Sequence, residues 1–295
     1  MKITRNYFKK KTFIITGANQ GLGLEIAKHF YRMGANIILC SRNKKKLLKV
    51  IQTFKKKSNQ IIIAEKCDVS KTKEVDLFFN KIFKQFKSID VLINNAGIYG
   101  PKGRLENAPW KDFKKTLEIN LFGSIYFIKK IIPYFKKRKK GKIIQIAGGG
   151  AASPLPYFSA YATSKAGIVR FVENISKELN PYKIDINAIA PGPINTRMLD
   201  EVLKEHPNNV GKEFYKKSLM QKKNGGTDIK KILNCLEFLS HKKSDKISGK
   251  LISVLWDNWK NFDKFKKILK SSDIGNLRRI TGRERNKTFF DKDDK

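Results

Sequence analysis

Short runs rich in β-branched residues alternate with longer amphipathic stretches along nearly the whole chain. That alternation limits the available folds more than any other feature. "TFIITG" (12–17) leads into "GLGLEIAKHFYRMG", where Leu22, Ile26, Phe30 and Met33 recur at helical spacing. Strand-like "NIILCS" (36–41), a helix around 43–57 and strand-like "IIIAEKCDV" (61–69) follow. A helix over 71–87 carries Val75, Phe78, Phe79, Ile82, Phe83 and Phe86 on one stripe. Then come "DVLINNAG" (90–97), a long helical region (107–138), "KIIQIAG" (142–148) and a helix over 159–179. "KIDINAIAPG" (183–192), a helical insertion (about 197–240) and "KLISVL" (250–255) complete the series. Strict alternation predicts an α/β fold: a doubly wound parallel sheet of about seven strands with helical crossovers on both faces. No second alternation begins after 255 and there is no internal repeat. One domain is therefore expected over 1–257, with 258–295 as a charged C-terminal extension. Within the extension "NWKNFDKFKKILK" reads as helical and "TGRERNKTFFDKDDK" as frayed.

The longest apolar runs, such as "LISVLW" (251–256), fall far short of the ~20 residues a membrane-crossing helix needs. The N-terminal "MKITRNYFKKKTFIITG" is basic but lacks an apolar stretch of signal-peptide length, so a cytoplasmic protein without membrane association is expected. Cys40, Cys67 and Cys235 are too scattered for a disulfide framework, and with His29, His206 and His241 they offer no metal-ligand spacing. Cys40 and Cys67 lie in strand-like runs and read as buried thiols. The charge is extreme, with 63 Lys and Arg against 26 Asp and Glu, net +37. Such a field favours polyanions. The lysines are nevertheless dispersed, at 9–11, 44–46, 55–57, 136–140, 216–217, 222–223 and 266–267. Dispersion reads as solvated surface rather than as one nucleic-acid face.

"TGANQGLG" (16–23) sits where the first strand meets the first helix. Gly17 permits a tight exit from the strand. Gly21 lets backbone approach a pyrophosphate attracted to the helix N-terminus, and Gly23 allows close helix–sheet packing. Five further motifs follow in order: "CDV" (67–69), "NNAG" (94–97), "IN" ending at Asn120, "YATSK" (161–165) and "PGPINT" (191–196). Together, over about 10–256, the chain resembles the short-chain dehydrogenase/reductase family of single-domain Rossmann-fold oxidoreductases. The resemblance implies a bound nicotinamide dinucleotide with Asn19, Gln20 and Leu22 on its glycine loop. It implies Asp68 and Val69 at the adenine, Asn94, Ala96 and Gly97 along the ribose, and Pro191, Gly192, Ile194 and Thr196 toward the nicotinamide carboxamide. Asp68, Asn94, Asn95 and Thr196 each have a plain structural use as well, capping a helix or fixing a strand.

At the end of the second strand an acidic residue would bind the adenosine ribose 2′-hydroxyl and repel a 2′-phosphate. The chain has Ser41 and Arg42 there. A hydroxyl beside a guanidinium suits a phosphate, so NADP(H) is expected over NAD(H).

Tyr161 and Lys165 are one helical turn apart, which lets an ammonium act on a phenol and predicts a lowered tyrosine pKa. The resemblance makes Tyr161 the acid/base, has Lys165 also hold the nicotinamide ribose, and has Asn120 hold a water on the proton path. It places a serine at the end of the fifth strand to hold the substrate carbonyl; that position falls on Gly148, within "IAGGG". Three readings stay open. Catalysis survives with Ser153, Ser159 or backbone N–H groups at Gly148–Gly150 as donor, the glycines giving room for substrate. Alternatively, the chain is a nucleotide-binding scaffold or sensor, or the charge marks a nucleic-acid role on an inherited fold. The insertion at 197–240 reads as a lid whose lysines suit a phosphorylated or sugar-like substrate or are plain surface; a small or acyl substrate is equally open. Trp256 and Trp259 read as a structural plug or a stacking platform. The resemblance also implies a homodimer or homotetramer, paired through the helices carrying Trp110, Phe113, Leu117 and Leu121, and Ile168, Phe171, Val172 and Ile175.

Overall fold

The computed structural model describes residues 5–55, 60–281 and 283–285. In β1 (Thr12–Thr16), Phe13 and Ile15 pack on one side of the sheet and Ile14 on the other, all fully buried. β2 (Asn36–Ser41) divides the same way, Ile37 and Leu39 against Ile38 and Cys40. Strands apolar on both faces need a helical layer on each. β3 (Ile62–Lys66), β4 (Val91–Asn94), β5 (Gly141–Ile146), β6 (Ile184–Ala190) and β7 (Leu251–Ser253) complete the sheet. It has seven strands in the order β3-β2-β1-β4-β5-β6-β7, and every neighbouring pair is parallel.

The helices are α1 (Gly21–Arg32), α2 (Lys44–Gln52), α3 (Thr72–Gln85), α4 (Trp110–Leu117), α5 (Gly123–Arg138), α6 (Ser159–Leu179), α7 (Arg197–Leu203), α8 (Pro207–Val210), α9 (Lys212–Asn224), α10 (Ile229–Ser240) and α11 (Lys266–Ser271). α1, α2 and α10 cover one face of the sheet; α3, α5 and α6 cover the other. The stripe Leu22, Ile26 and Phe30 turns α1 onto the sheet, where Phe30 stacks on Phe13 at 4.2 Å between ring centres. Each such fully buried ring stabilises the fold by about 1.5–3 kcal/mol relative to exposure. Asn43 starts α2 by accepting the Lys46 N–H at 2.9 Å, a side-chain cap.

The helical region expected over 107–138 is interrupted. A π turn, Glu118–Phe122, separates α4 from α5, and Gly123 donates its N–H to Glu118 O. A Cβ on Gly123 would lie 2.7 Å from Val69 O, so this helix presses against the loop after β3. The wide turn brings Asn120 into the interior, where it is completely buried. Periodicity misses the break because the chain stays helical in hydrogen bonding through it.

The two tryptophans after β7 differ in burial. Trp259 is buried, its Nε1 donating to Val254 O at 3.1 Å, whereas Trp256 is 86% exposed. Further on, the tail runs beside the outer edge of β7. Leu251 N donates to Gly275 O at 2.7 Å and Asn276 Nδ2 to Gly249 O at 2.8 Å. Lys250 Nζ donates to Ser272 O and Asn276 Oδ1 at 2.9 and 2.8 Å. Most of "TGRERNKTFFDKDDK" lies outside the described residues. All three cysteines are buried free thiols. Among the described residues no helix is long and apolar enough to cross a membrane.

Candidate active site

Strand order reverses between β1 and β4, which leaves a crevice at their C-terminal ends. A cleft of about 1240 Å³ occupies it. That exceeds the ~300–1,000 Å³ of an ordinary small-molecule site, so a long ligand and a second molecule fit together. Gly17 (φ 64°) forms its floor, and a Cβ there would lie 2.8 Å from Ala96 Cα. Asn19, Gln20, Gly21 and Leu22 continue the wall. Gln20 is extended and gives α1 no side-chain cap, so the first-turn N–H groups are available to an anion. Gly23 lies behind the wall; its Cβ would sit 2.5 Å from Asn95 Nδ2 and 2.6 Å from Gly17 O, which accounts for its packing role.

At one end the wall is cationic. Ser41 is buried and accepts the Asn43 N–H at 3.3 Å, while Arg42 is exposed on the rim. Lys44, Lys45, Lys46 and Lys66 line the same cleft. None of these five cationic side chains has an ion-pair partner among the described residues. Asp68 and Val69 also line it, and Asp68 Oδ1 accepts from Ser70 N and Oγ at 3.0 and 2.7 Å, holding the turn ahead of α3.

Of "NNAG", Ala96 and Gly97 reach the cleft but Asn94 does not. Asn94 is buried beneath, its Nδ2 donating to Ser124 O at 3.1 Å. The lining asparagine is Asn95, passed over as a site residue; its Nδ2 donates to Thr16 O and Gly17 O at 3.0 and 3.3 Å. Thr16 Oγ1 accepts from Asn95 N and Ala96 N at 2.9 and 3.0 Å, which ties β1 to the loop after β4. Alternation along β4 distinguishes Asn94 from Asn95, since successive side chains take opposite sides. Pro191, Gly192, Ile194 and Thr196 form the facing wall.

Tyr161 and Lys165 are buried side by side on α6 and both line the cleft. Lys165 Nζ donates to Ile146 O at 2.9 Å and lies 5.4 Å from the centre of the Tyr161 ring. A Cβ on Gly97 would be 3.3 Å from Asn120 Oδ1 and 3.7 Å from Lys165 Nζ, so these residues converge. Burial lowers the Lys165 pKa to about 8. Burial, and then the repulsion the Tyr161 and Tyr99 phenols would feel if both ionised, push the Tyr161 pKa up. The lowering expected from the lysine is thus reversed in the free protein. Desolvation penalises both charged forms and outweighs the attraction between them.

The Asn120 side chain is held on both sides. Its Nδ2 donates to Ile98 O at 2.8 Å and Ser164 Oγ at 3.0 Å, and its Oδ1 accepts from Ile98 N at 2.9 Å. Both carboxamide donors are spent, so the side chain braces the loop after β4 and does not line the cleft.

The glycines after β5 do not simply leave room. Gly148 has φ 150°, and a Cβ there would lie 2.7 Å from Tyr161 Oη: the tyrosine hydroxyl fills the space a side chain would take. A Cβ on Gly150 would meet Ala162 Cβ at 2.8 Å. Only Gly149 faces open space, with nothing within 4 Å. Ser153 is exposed and, like Ser159, lies outside the lining, although Leu155 of the same loop reaches it.

Around Tyr161 the cleft becomes an apolar chamber. Tyr99, Leu155, Met198, Leu199, Val202 and Phe214 line it. No lysine of the insertion reaches it; Arg197 does, paired with Glu201 at 3.1 Å. Lys222 pairs instead with Asp200 at 2.7 Å. These chamber residues escape sequence reading because they come from four separated segments, joined only by the fold.

The sequence pattern of the short chain dehydrogenase family matches residues 11–207. The chain belongs to that family. The chain is 34% identical over 189 residues to 11-beta-hydroxysteroid dehydrogenase-like 3 of Arabidopsis thaliana, covering 64% of its own length. It spans only 60% of the length of that plant relative. It is 33% identical over 253 residues to the (S)-acetoin-forming diacetyl reductase of Staphylococcus epidermidis, covering 84% of this chain and 97% of the bacterial one. Among solved structures, NAD+-bound xylitol dehydrogenase superposes on this chain with a TM-score of 0.73 at 26% identity, over 83% of this chain and 98% of the other.

Proposed function

We propose that the chain interconverts a carbonyl and an alcohol with a nicotinamide dinucleotide, NADP(H) in preference to NAD(H), and that Tyr161 is the acid/base. The observation that carries this reading is the buried Tyr161–Lys165 pair on the wall of a cleft whose other end is the glycine loop. The residues present suit the dinucleotide. Gly17 and the uncapped start of α1 would take the pyrophosphate, and the Ser41–Arg42 corner with its four lysines the 2′-phosphate. Ile194 and Thr196 would take the carboxamide, and Lys165 the nicotinamide ribose. When bound, the reduced cofactor supplies hydride. Tyr161, kept protonated by burial, supplies the proton to the carbonyl oxygen.

Of the substrate classes open from sequence, the chamber supports an uncharged small or acyl carbonyl compound over a phosphorylated or sugar-like one. Its wall offers rings and methyl groups, its arginine is already paired with Glu201, and its buried lysine, Lys165, donates to Ile146 O. The scaffold reading draws on a single feature, the lack of a side-chain donor at Gly148. We also take the chain to assemble as a homodimer or homotetramer. Trp110, 64% exposed and stacked on Phe113 at 5.1 Å, and Phe122, 57% exposed, form an apolar face on the helices after β4. Light scattering over a range of concentrations tests it, and a concentration-independent monomer refutes it.

The decisive experiment for activity is titration of NADPH and NADH by fluorescence, followed by turnover against a panel of apolar, sugar-like and phosphorylated carbonyl compounds. Tighter NADPH binding with turnover of apolar carbonyls is the expected result. NADPH binding without turnover of any carbonyl favours the scaffold.

A further inference from the structure

We propose that Tyr99 is a second catalytic hydroxyl, one that donates a hydrogen bond to the substrate oxygen beside Tyr161 in place of any side chain at position 148. This rests on the reading of Tyr161 as acid/base. Position 148 is closed to a donor, since Tyr161 Oη would lie 2.7 Å from its Cβ. Ser153 and Ser159 lie outside the cleft lining. Two other polar side chains on the chamber wall are already engaged: Ser218 Oγ donates to Phe214 O at 2.8 Å, and Gln221 Nε2 to Asn195 Oδ1 at 3.1 Å. The Tyr99 hydroxyl has no hydrogen-bond partner among the described residues, and its ring packs edge-on to Tyr161 at 4.8 Å between centres.

The backbone on both sides of Tyr99 is fixed. Asn120 grips Ile98 through both its N–H and its carbonyl, at 2.9 and 2.8 Å. Gly100 (φ 71°) passes so close to α4 that a Cβ there would lie 1.9 Å from Thr116 Oγ1. A donor whose support is set before substrate arrives costs no reorganisation during the reaction, which is what stabilisation of a developing oxyanion requires. Burial raises the Tyr99 pKa, which keeps the proton it would share. In reduction the carbonyl carbon accepts hydride, and the C=O π pair moves to oxygen. That oxygen takes the proton of Tyr161 Oη, and the resulting phenolate is reprotonated from solvent. Tyr99 keeps its proton throughout. The same clamp gives the Asn120 side chain a purpose besides the expected water: it aims Tyr99.

Tyr99→Phe keeps the ring and removes the hydroxyl. It is expected to leave NADPH affinity and Tm unchanged while lowering kcat by roughly 10²-fold, the usual loss for one oxyanion donor. An activity-independent probe is benzamide, whose carbonyl oxygen is not reduced by hydride. Binding of benzamide to the NADPH complex should weaken about five- to tenfold in Tyr99→Phe, the worth of one hydrogen bond. Equal benzamide binding by both proteins, or none by the wild type, overturns the proposal. Turnover that is intact in wild type and unchanged in Tyr99→Phe overturns it while leaving Tyr161 in its role. Tyr99-dependent benzamide binding without turnover of any carbonyl overturns the catalytic role of Tyr99, leaves it a binding contact, and favours the scaffold over the acid/base reading of Tyr161.

Discussion

Around Gly17–Gly21 and Ser41 the cleft wall is backbone and cation, whereas around Tyr161 it is ring and methyl. The first end is built by strand exits. Gly17, with positive φ, lets main chain pass close to main chain, and among the described residues the cations on the rim have no ion-pair partner. The second is built by side chains from the loop after β4, the approach to α6 and the α7–α9 insertion. One end thus depends on close backbone approach at Gly17, and the other mainly on side-chain bulk that many residues could supply. The difference suits a fixed cofactor and a variable substrate. It also predicts that substitutions at the two ends fail differently.

Five measurements would break or sharpen that contrast. Tyr161→Phe should lower turnover by roughly 10³-fold, the scale of a lost general acid, with NADPH affinity nearly unchanged. Full activity in this variant would remove the assignment.

Lys165 should show itself in the pH dependence of stability. Its folded pKa of about 8 lies below the ordinary lysine value near ~10.4. Between those pH values the unfolded chain holds a proton that the folded chain has released, so stability rises with pH. Below pH 8 both hold it, and the cost of the buried ammonium is constant. Lys165→Met should abolish a rise of roughly 3 kcal/mol between pH 7 and pH 11, read as the difference between the two proteins in urea melts. Parallel stability curves would show that Lys165 titrates normally.

Gly148→Ala tests the crowding beside Tyr161. A positive φ and a 2.7 Å contact should together cost about 1–3 kcal/mol of stability and reduce turnover. A silent substitution would mean the loop yields. Gly149→Ala, in open space, is the comparison and should be tolerated.

Arg42→Asp should weaken NADPH binding by roughly tenfold or more and favour NADH, because a carboxylate repels the 2′-phosphate. An unchanged ratio of the two affinities would move the phosphate to Lys45, Lys46 or Lys66. The smallest effect belongs to Ser153→Ala, which should change kcat less than about twofold, since an exposed hydroxyl outside the lining touches nothing that reacts. A large loss would restore Ser153 as the missing donor.

The sheet was legible because every strand is apolar and every crossover is amphipathic, so seven strands and their parallel pairing follow from periodicity alone. The glycine loop was legible because backbone geometry demands particular residues at particular spacings. Asn94 and Asn95 were confused because the motif names both, while the pleat sends only one to the cleft. The pKa of Tyr161 was misjudged because helical spacing reports proximity to Lys165 but not the dryness of the site, and dryness dominates. Nor could Tyr99 be recognised, because its significance lies in a clamp by Asn120 and a contact with α4 that only the fold creates.

The tail that lies along β7 has a bearing on self-association. An open sheet ends in a row of unpaired N–H and C=O groups that any extended chain can join. Here the Leu251 N–H is taken by Gly275 O, and Lys250 and Asn276 fasten the flanking turns. Loss of the residues from Ser272 onward would free the Leu251 N–H, while the Ser253 N–H would stay with Asp257 Oδ2 at 2.7 Å, so the edge would be opened to a second chain only in part.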